Sequence, residues 1–331
     1  MVKTKSLLTG LLVCLLAGMA VRAAPAPTHV RLVDYAAQFD RFEARTHDMP
    51  MDQRVAAFRA EFDRTVPGLY ADRDAARLDR RIAKALVDFP SIRPAYRDVE
   101  RKFPAALTVA VRHFRAIFPG FTPPLPIYLA HELGTRDGGS DYVAGRKVML
   151  FGADVIAVIH HDDSLQPFLD HELFHLEHGR HFADCDQFWC PLWQEGLATF
   201  AASTMTPGAD DHQLLLDQPA PIRAPTDAQW QRALCIVAKS FDATDGDTIA
   251  AAFTGGHHPP DLPARFGYYI GLRVAREASR MQSLSTLTRL NDQDARQVVA
   301  AALTRLIDAA GAPCPPPARQ GQITSLAPRP A

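Results

Sequence analysis

Beyond its N-terminal segment, the sequence has no apolar run long enough to cross a bilayer, no internal repeat and no surplus of positive charge. Its 36 Lys and Arg are matched by 37 Asp and Glu. That balance lacks the basic footprint of a nucleic-acid binder, so no nucleic-acid partner is expected. Cysteine is scarce, with five residues in the chain. None of them form the paired C-x-x-C spacing of a thiolate zinc site.

What is present begins with an export signature. Lys3 and Lys5 precede the 15-residue apolar run LLTGLLVCLLAGMAV, and Val21-Arg22-Ala23 places small residues where a signal peptidase reads. The run is shorter than the roughly 20 residues a spanning helix needs. Residues 1–23 are therefore expected to be a cleaved signal peptide. The mature protein is expected to be extracytoplasmic, periplasmic or secreted, with no membrane span after cleavage. Cleavage removes Lys3, Lys5 and Arg22 but no acid, leaving 33 basic and 37 acidic residues, a net charge of −4. Four cysteines then remain, and in an oxidising compartment they allow three pairings. The expected pairs are Cys185 with Cys190, closing a short loop, and Cys235 with Cys314, pinning the tail.

The pattern along the chain predicts an α+β, mainly helical fold. Residues 24–118 form a helical N-terminal region, in which DQRVAAFRAEFDRTV, DAARLDRRIAKALVDF and AYRDVERKFPAALTVAVRHFRAIF repeat apolar residues every three or four positions. Pro67, Pro90, Pro94 and Pro104 punctuate it. From residue 119 to 311 the pattern changes to that of a catalytic domain. LPIYLA and KVMLFG read as strands, with the Gly-rich RDGGSDYVAGRK between them as a turn. His131-Glu132 starts like a metal motif but has Thr135 where a histidine is needed. A helix starts near Asp163 or Ser164 and ends at Gly179, and PLWQEGLATFAAST forms the next one. Residues 312–331 are a Pro-rich tail, expected to be disordered.

The chemistry lies in HELFHLEHGRH, His171 to His181. On a helix, His171 and His175 are four apart and share a face, so both imidazoles can reach a single zinc ion. Glu172 is turned away from ligation, yet stays close enough to take a proton from a zinc-activated water as general base. Three residues compete as third ligand. His178 shares the helical face, but one straight helix does not wrap three ligands around a tetrahedral ion. His181 would complete a metzincin-like H-E-x-x-H-x-x-G-x-x-H set, with Met205 in the place of that group's methionine turn. However, position 178 is His where the turning glycine belongs, and Gly179 comes one residue late. Glu195, twenty residues past His175, can come from a neighbouring helix. Two neutral imidazoles and one carboxylate would leave zinc a net positive charge and an open position. Gly196 would let that helix pack closely.

H-E-x-x-H followed by W-x-E-G-L-A resembles the gluzincin metallopeptidases, the thermolysin-like superfamily. The matching residues are His171, Glu172 and His175, then Trp193, Glu195, Gly196, Leu197 and Ala198. The likeness covers about residues 119 to 280. It implies a small sheet with an active-site helix pair, one zinc per chain, a peptide or protein substrate held along a sheet edge, and hydrolysis of peptide bonds. Some members carry an aspartate four residues after the ligand glutamate to orient a zinc histidine. Here that position is Thr199, and Asp170 is the candidate substitute. ARFGYYIGLRVAREA resembles a downstream Gly-Tyr-x-x-Gly element. Tyr268 is the expected oxyanion donor, with Gly271 leaving room for substrate, and Tyr269, His257 and His258 are alternatives. Arg265 and Arg273 are assigned to surface ion pairs rather than to a substrate carboxylate. The competing class is a catalytically silent exported binding protein of the same fold. Composition does not speak to oligomeric state.

Overall fold

One helix of 43 residues organises the molecule. In the computed structural model, which describes residues 30–160, 165–183, 185–311 and Cys314, this helix (α3, Ala75–Ile117) contains Pro90, Pro94 and Pro104. Prolines normally break a helix because they lose an N–H and clash with a preceding carbonyl. Here all three proline rings are exposed, so they project into water and stay out of the packed face. The opposite face buries Ile82, Leu86, Phe89, Tyr96, Phe103, Leu107, Val111 and Phe114, and that burial outweighs local propensity. The sequence pattern predicted separate helices here; tertiary packing joins them.

Three elements precede it: β1 (Leu32–Asp34), α1 (Ala36–Thr46) and α2 (Met51–Thr65). The strand differs from the all-helical expectation for this region. Its three residues are too few for a period-2 pattern to show. β2 (Ile127–Ala130), β3 (Gly138–Val143) and β4 (Arg146–Gly152) follow. The four strands form one sheet in the order β1-β2-β4-β3. β1 and β4 run parallel to β2, while β3 is antiparallel to β4 and forms an edge. The Gly-rich segment read as a turn is thus largely the edge strand β3. The false start at His131 is structural. Its ring is buried and stacks on Phe39 at 3.7 Å, and its Nδ1 lies 3.3 Å from Asp154 Oδ2.

The rest is helical: α4 (Ala153–Ile159), α5 (Leu165–His178), α6 (Trp189–Met205), α7 (Arg223–Ala228), α8 (Trp230–Ser240), α9 (Gly246–Phe253), α10 (Phe266–Ala278), α11 (Leu284–Thr288) and α12 (Asp292–Ala309). The fold is therefore mainly helical with one small sheet, as expected of an α+β chain. A single apolar cluster runs from Phe39 through Phe103 and Phe174 to Leu303, so the N-terminal helices share a core with α5 and α6. Disulfides join Cys185 to Cys190 and Cys235 to Cys314, the expected pairs. Among the described residues, no helix is long and apolar enough to cross a membrane. The expected signal peptide, the Asp163 or Ser164 cap and, apart from Cys314, the tail lie outside the described residues.

Candidate metal centre

Helices α5 and α6 carry the site because each is apolar on the sides that face the core. Phe168, Leu169, Leu173 and Phe174 anchor α5, and Leu192, Trp193, Leu197 and Ala201 anchor α6. That burial leaves one face of each helix for His171, His175 and Glu195. On its other side α6 meets α10 at a glycine contact. A Cβ on Gly196 would fall 2.2 Å from the Gly271 carbonyl carbon, and one on Gly271 would fall 2.4 Å from Leu192 O. Gly196 therefore permits the close packing expected of it. Gly271 serves the same crossing and does not make room for substrate.

The ligand atoms converge. His171 Nε2 lies 3.1 Å from His175 Nε2 and 3.2 Å from Glu195 Oε2, and His175 Nε2 lies 3.6 Å from the same oxygen. Nitrogen and oxygen ligands bind a tetrahedral divalent ion at about 2.0–2.2 Å, which sets the tetrahedron edge near ~3.3 Å. The triangle's sides bracket that length, so the donor set fits one small cation with a corner left open. The Glu172 carboxylate adjoins the triangle, its oxygen and the two imidazole nitrogens all lying within 4.8 Å of one another.

Electrostatics separate the two glutamates. Burial pushes the Glu172 carboxyl up to about 8, with the charges of Asp137 and Glu195 adding and His175 opposing. Burial acts the same way on Glu195, but His175 and His171 outweigh it and hold that carboxyl well below the usual range. His175 shows the converse: burial disfavours its proton, yet Glu195 and Glu172 raise it to about 9. His171 is lowered by burial and by His175. Without a cation, the cluster is thus a carboxylate paired with one imidazolium.

Strand β3 forms the wall opposite Glu172. A Cβ on Gly138 would sit 3.0 Å from Glu172 Cγ and Cδ, so this glycine makes room for the carboxylate. Next to it, Asp137 is bonded to the buried His160 ring at 3.1 Å. The cleft extends to both sides of the triangle. A flank of about 310 Å³ is lined by Asp137, Gly138, Leu214, Leu215, Arg265 and Tyr268. The other, about 380 Å³, includes Ser140, Met149, Phe182 and Gln194. Periodicity did not single out Asp137, Gly138, Leu214 or Leu215, since only strand pairing and loop packing bring them here.

Tyr268 lies in the cleft, and burial together with the Glu195 charge keeps its phenol protonated far above its ordinary value. Tyr269 lies elsewhere: its hydroxyl donates to Asp227 Oδ1 at 2.8 Å and accepts from Arg273 Nη1 at 2.8 Å. His257 and His258 are exposed and line neither flank. His181 Nε2 lies 3.7 Å from Glu177 Oε1 and likewise lines neither flank. Met205 closes α6 as a buried residue. Thr199 Oγ1 donates to Glu195 O at 2.8 Å. Asp170 accepts from His113 Nδ1, Thr206 Oγ1 and Gln166 Nε2 at 3.0–3.1 Å. Among the described residues, neither Thr199 nor Asp170 hydrogen-bonds a site histidine; Asp170 instead clamps α5 to α3 and to the end of α6.

His178 is a packing residue. Its ring is 2% exposed, lies between Phe174 and Phe182 at 5.4 and 4.9 Å, and among the described residues has no partner for Nε2. Burial and the neighbouring His175 and His181 lower its pKa from 6.5 to about 3. The unfolded chain therefore takes up a proton below about pH 6.5 that the folded protein refuses until about pH 3. The His178 contribution to stability is complete above that window and is lost as pH falls through it. Between pH 7 and 5 the loss should approach about 2 kcal/mol. His178→Phe should flatten this part of the curve in denaturant titrations, and an unchanged acid slope would show that His178 is not its source.

Compared with family models, with curated proteins and with solved structures, the chain matches none.

Proposed function

We propose that this protein is an exported zinc metallopeptidase with a gluzincin-like catalytic unit. The observation that carries the proposal is the triangle of His171, His175 and Glu195 with Glu172 beside it. A purely structural metal site needs no carboxylate next to an open corner. A zinc ion held by this set would supply a Lewis acid of one net positive charge and a means of ionising water near neutral pH.

The remaining roles belong to the chain. Glu172, pushed up to about 8 without a cation, is drawn back toward its ionised form by a nearby positive charge. It then accepts the proton of the attacking water and returns it to the leaving amine. Tyr268, kept protonated, donates a hydrogen bond to the oxygen that becomes negative during attack. The free edge of β3, where Gly138 and Gly139 line the cleft, suits an extended peptide added as a further strand. Two disulfides support an oxidising, extracytoplasmic location.

Zinc titration of the metal-free protein tests the proposal. Uptake of one ion per chain is expected. Because Glu172 holds a proton up to about pH 8 and His175 one up to about pH 9 in the metal-free protein, binding at pH 7 should release close to two protons, one from each group. Affinity should rise with pH toward those values. Calorimetry in buffers of different ionisation enthalpy measures the protons released, and chelation should stop peptide hydrolysis until zinc is returned. A preparation that takes up no zinc would overturn the assignment.

A further inference from the structure

Among the described residues, Arg265 is the arginine that lines the cleft beside the metal triangle. It lines the 310 Å³ flank of the cleft together with His171, Glu172, Glu195 and Tyr268. Among the described residues it forms no ion pair. Its guanidinium donates to Gln218 O at 3.1 Å and lies over the Tyr268 ring at 4.3 Å. Arg273 and Arg223, by contrast, are paired with Asp227 and Asp211. A partly buried guanidinium with no ion pair among the described residues retains donors for a carboxylate, and its planar fork suits one.

The backbone adds an independent observation. Arg265 adopts the left-handed conformation, φ 60° and ψ 20°, at the start of α10. Leu215, facing the same flank, has φ 57°. Non-glycine residues are held this way where the surroundings require it, and such positions concentrate at functional sites. The bond from Arg265 to Gln218 O ties the loop carrying Leu214 and Leu215 to the helix carrying Tyr268.

We propose that Arg265 is the specificity-determining residue of the cleft, binding a carboxylate of the substrate on the Tyr268 side of the metal triangle. The inference deepens the metallopeptidase assignment and rests on it. The carboxylate is supplied either by the C-terminus of a peptide, which would make the enzyme a carboxypeptidase-type trimmer, or by an Asp or Glu side chain within a longer chain.

Binding to the full chain carrying Glu172→Gln tests this, with zinc content assayed in parallel. The probes are acetyl-tetraalanine as free acid, as C-terminal amide, and as the amide with aspartate in the last position. At least one carboxylate probe should bind about tenfold or more tightly than the neutral amide, the worth of one charge-assisted contact. Preference for the free acid identifies the C-terminus as the source; preference for the aspartyl amide identifies the side chain. Arg265→Gly should abolish the difference and Arg265→Lys should keep part of it. Glycine suits a φ of 60°, so the backbone is not strained by the change. Unchanged binding of the neutral amide by the glycine variant shows that the cleft survives loss of the Gln218 contact. Equal binding of all three probes, or a preference that survives Arg265→Gly, would overturn the inference. Absence of zinc would instead remove the metallopeptidase assignment, while the same probes would still report on Arg265 in the metal-free chain.

Discussion

Glu172→Gln is expected to lower peptide hydrolysis by roughly 10²–10⁴-fold, the usual worth of a positioned general base, and to leave zinc content unchanged. The amide keeps the shape of the carboxyl but accepts no proton. The three residues proposed as ligands, His171, His175 and Glu195, are untouched by the change, so the ligand set survives. A second readout separates this from a packing defect. In the metal-free protein the Glu172 carboxyl is raised to about 8 by burial, so the folded state holds a proton that the unfolded chain releases above about pH 4.5. The stability linked to that proton is lost as pH rises through about 8. Gln does not titrate, so the metal-free variant should melt higher than its parent near pH 9 while being far less active. Unchanged turnover would remove Glu172 from the mechanism. Lost turnover with lost zinc would make it a ligand.

Replacement of the third ligand should have the next largest effect. Glu195→Ala removes the only negative charge in the triangle and the partner that holds the His175 proton. Changes one shell farther out commonly cost 10–100-fold in affinity, so removing a ligand should weaken zinc binding by more than about 100-fold. His181→Ala should leave zinc affinity within about twofold, since losing a weakly paired surface group is energetically small and His181 neighbours Glu177. Metal analysis after dialysis against a weak chelator distinguishes the two variants. The reverse pattern would move the site to the metzincin-like ligand set and end the case for Glu195.

Much of this centre can be anticipated from spacing, because helical periodicity alone places His171 and His175 on one face. The strand segments IYLA and KVMLFG and both cysteine pairs were legible for similar reasons: short apolar runs bounded by turn residues, and short or tail-closing loops. The edge strand was not. Asp137 to Val143 reads as a turn because glycines carry no side-chain pattern, and only pairing with β4 makes it a strand. The prolines of α3 misled in the other direction. Three breakers within one helix are tolerated because each faces water while the opposite face is buried. Gly271 and Arg265 also needed coordinates. One meets a neighbouring backbone, and the other forms none of the expected surface ion pairs among the described residues.

Local sequence thus determined the kind of chemistry available, since a residue's identity and its position around a helix depend on nothing distant. Which carboxylate completes the triangle, and which tyrosine and which arginine line the cleft, were decided by packing between helices far apart in the chain. Such contacts form only when a shared core brings α5, α6 and α10 together, and no periodicity within a single segment encodes them.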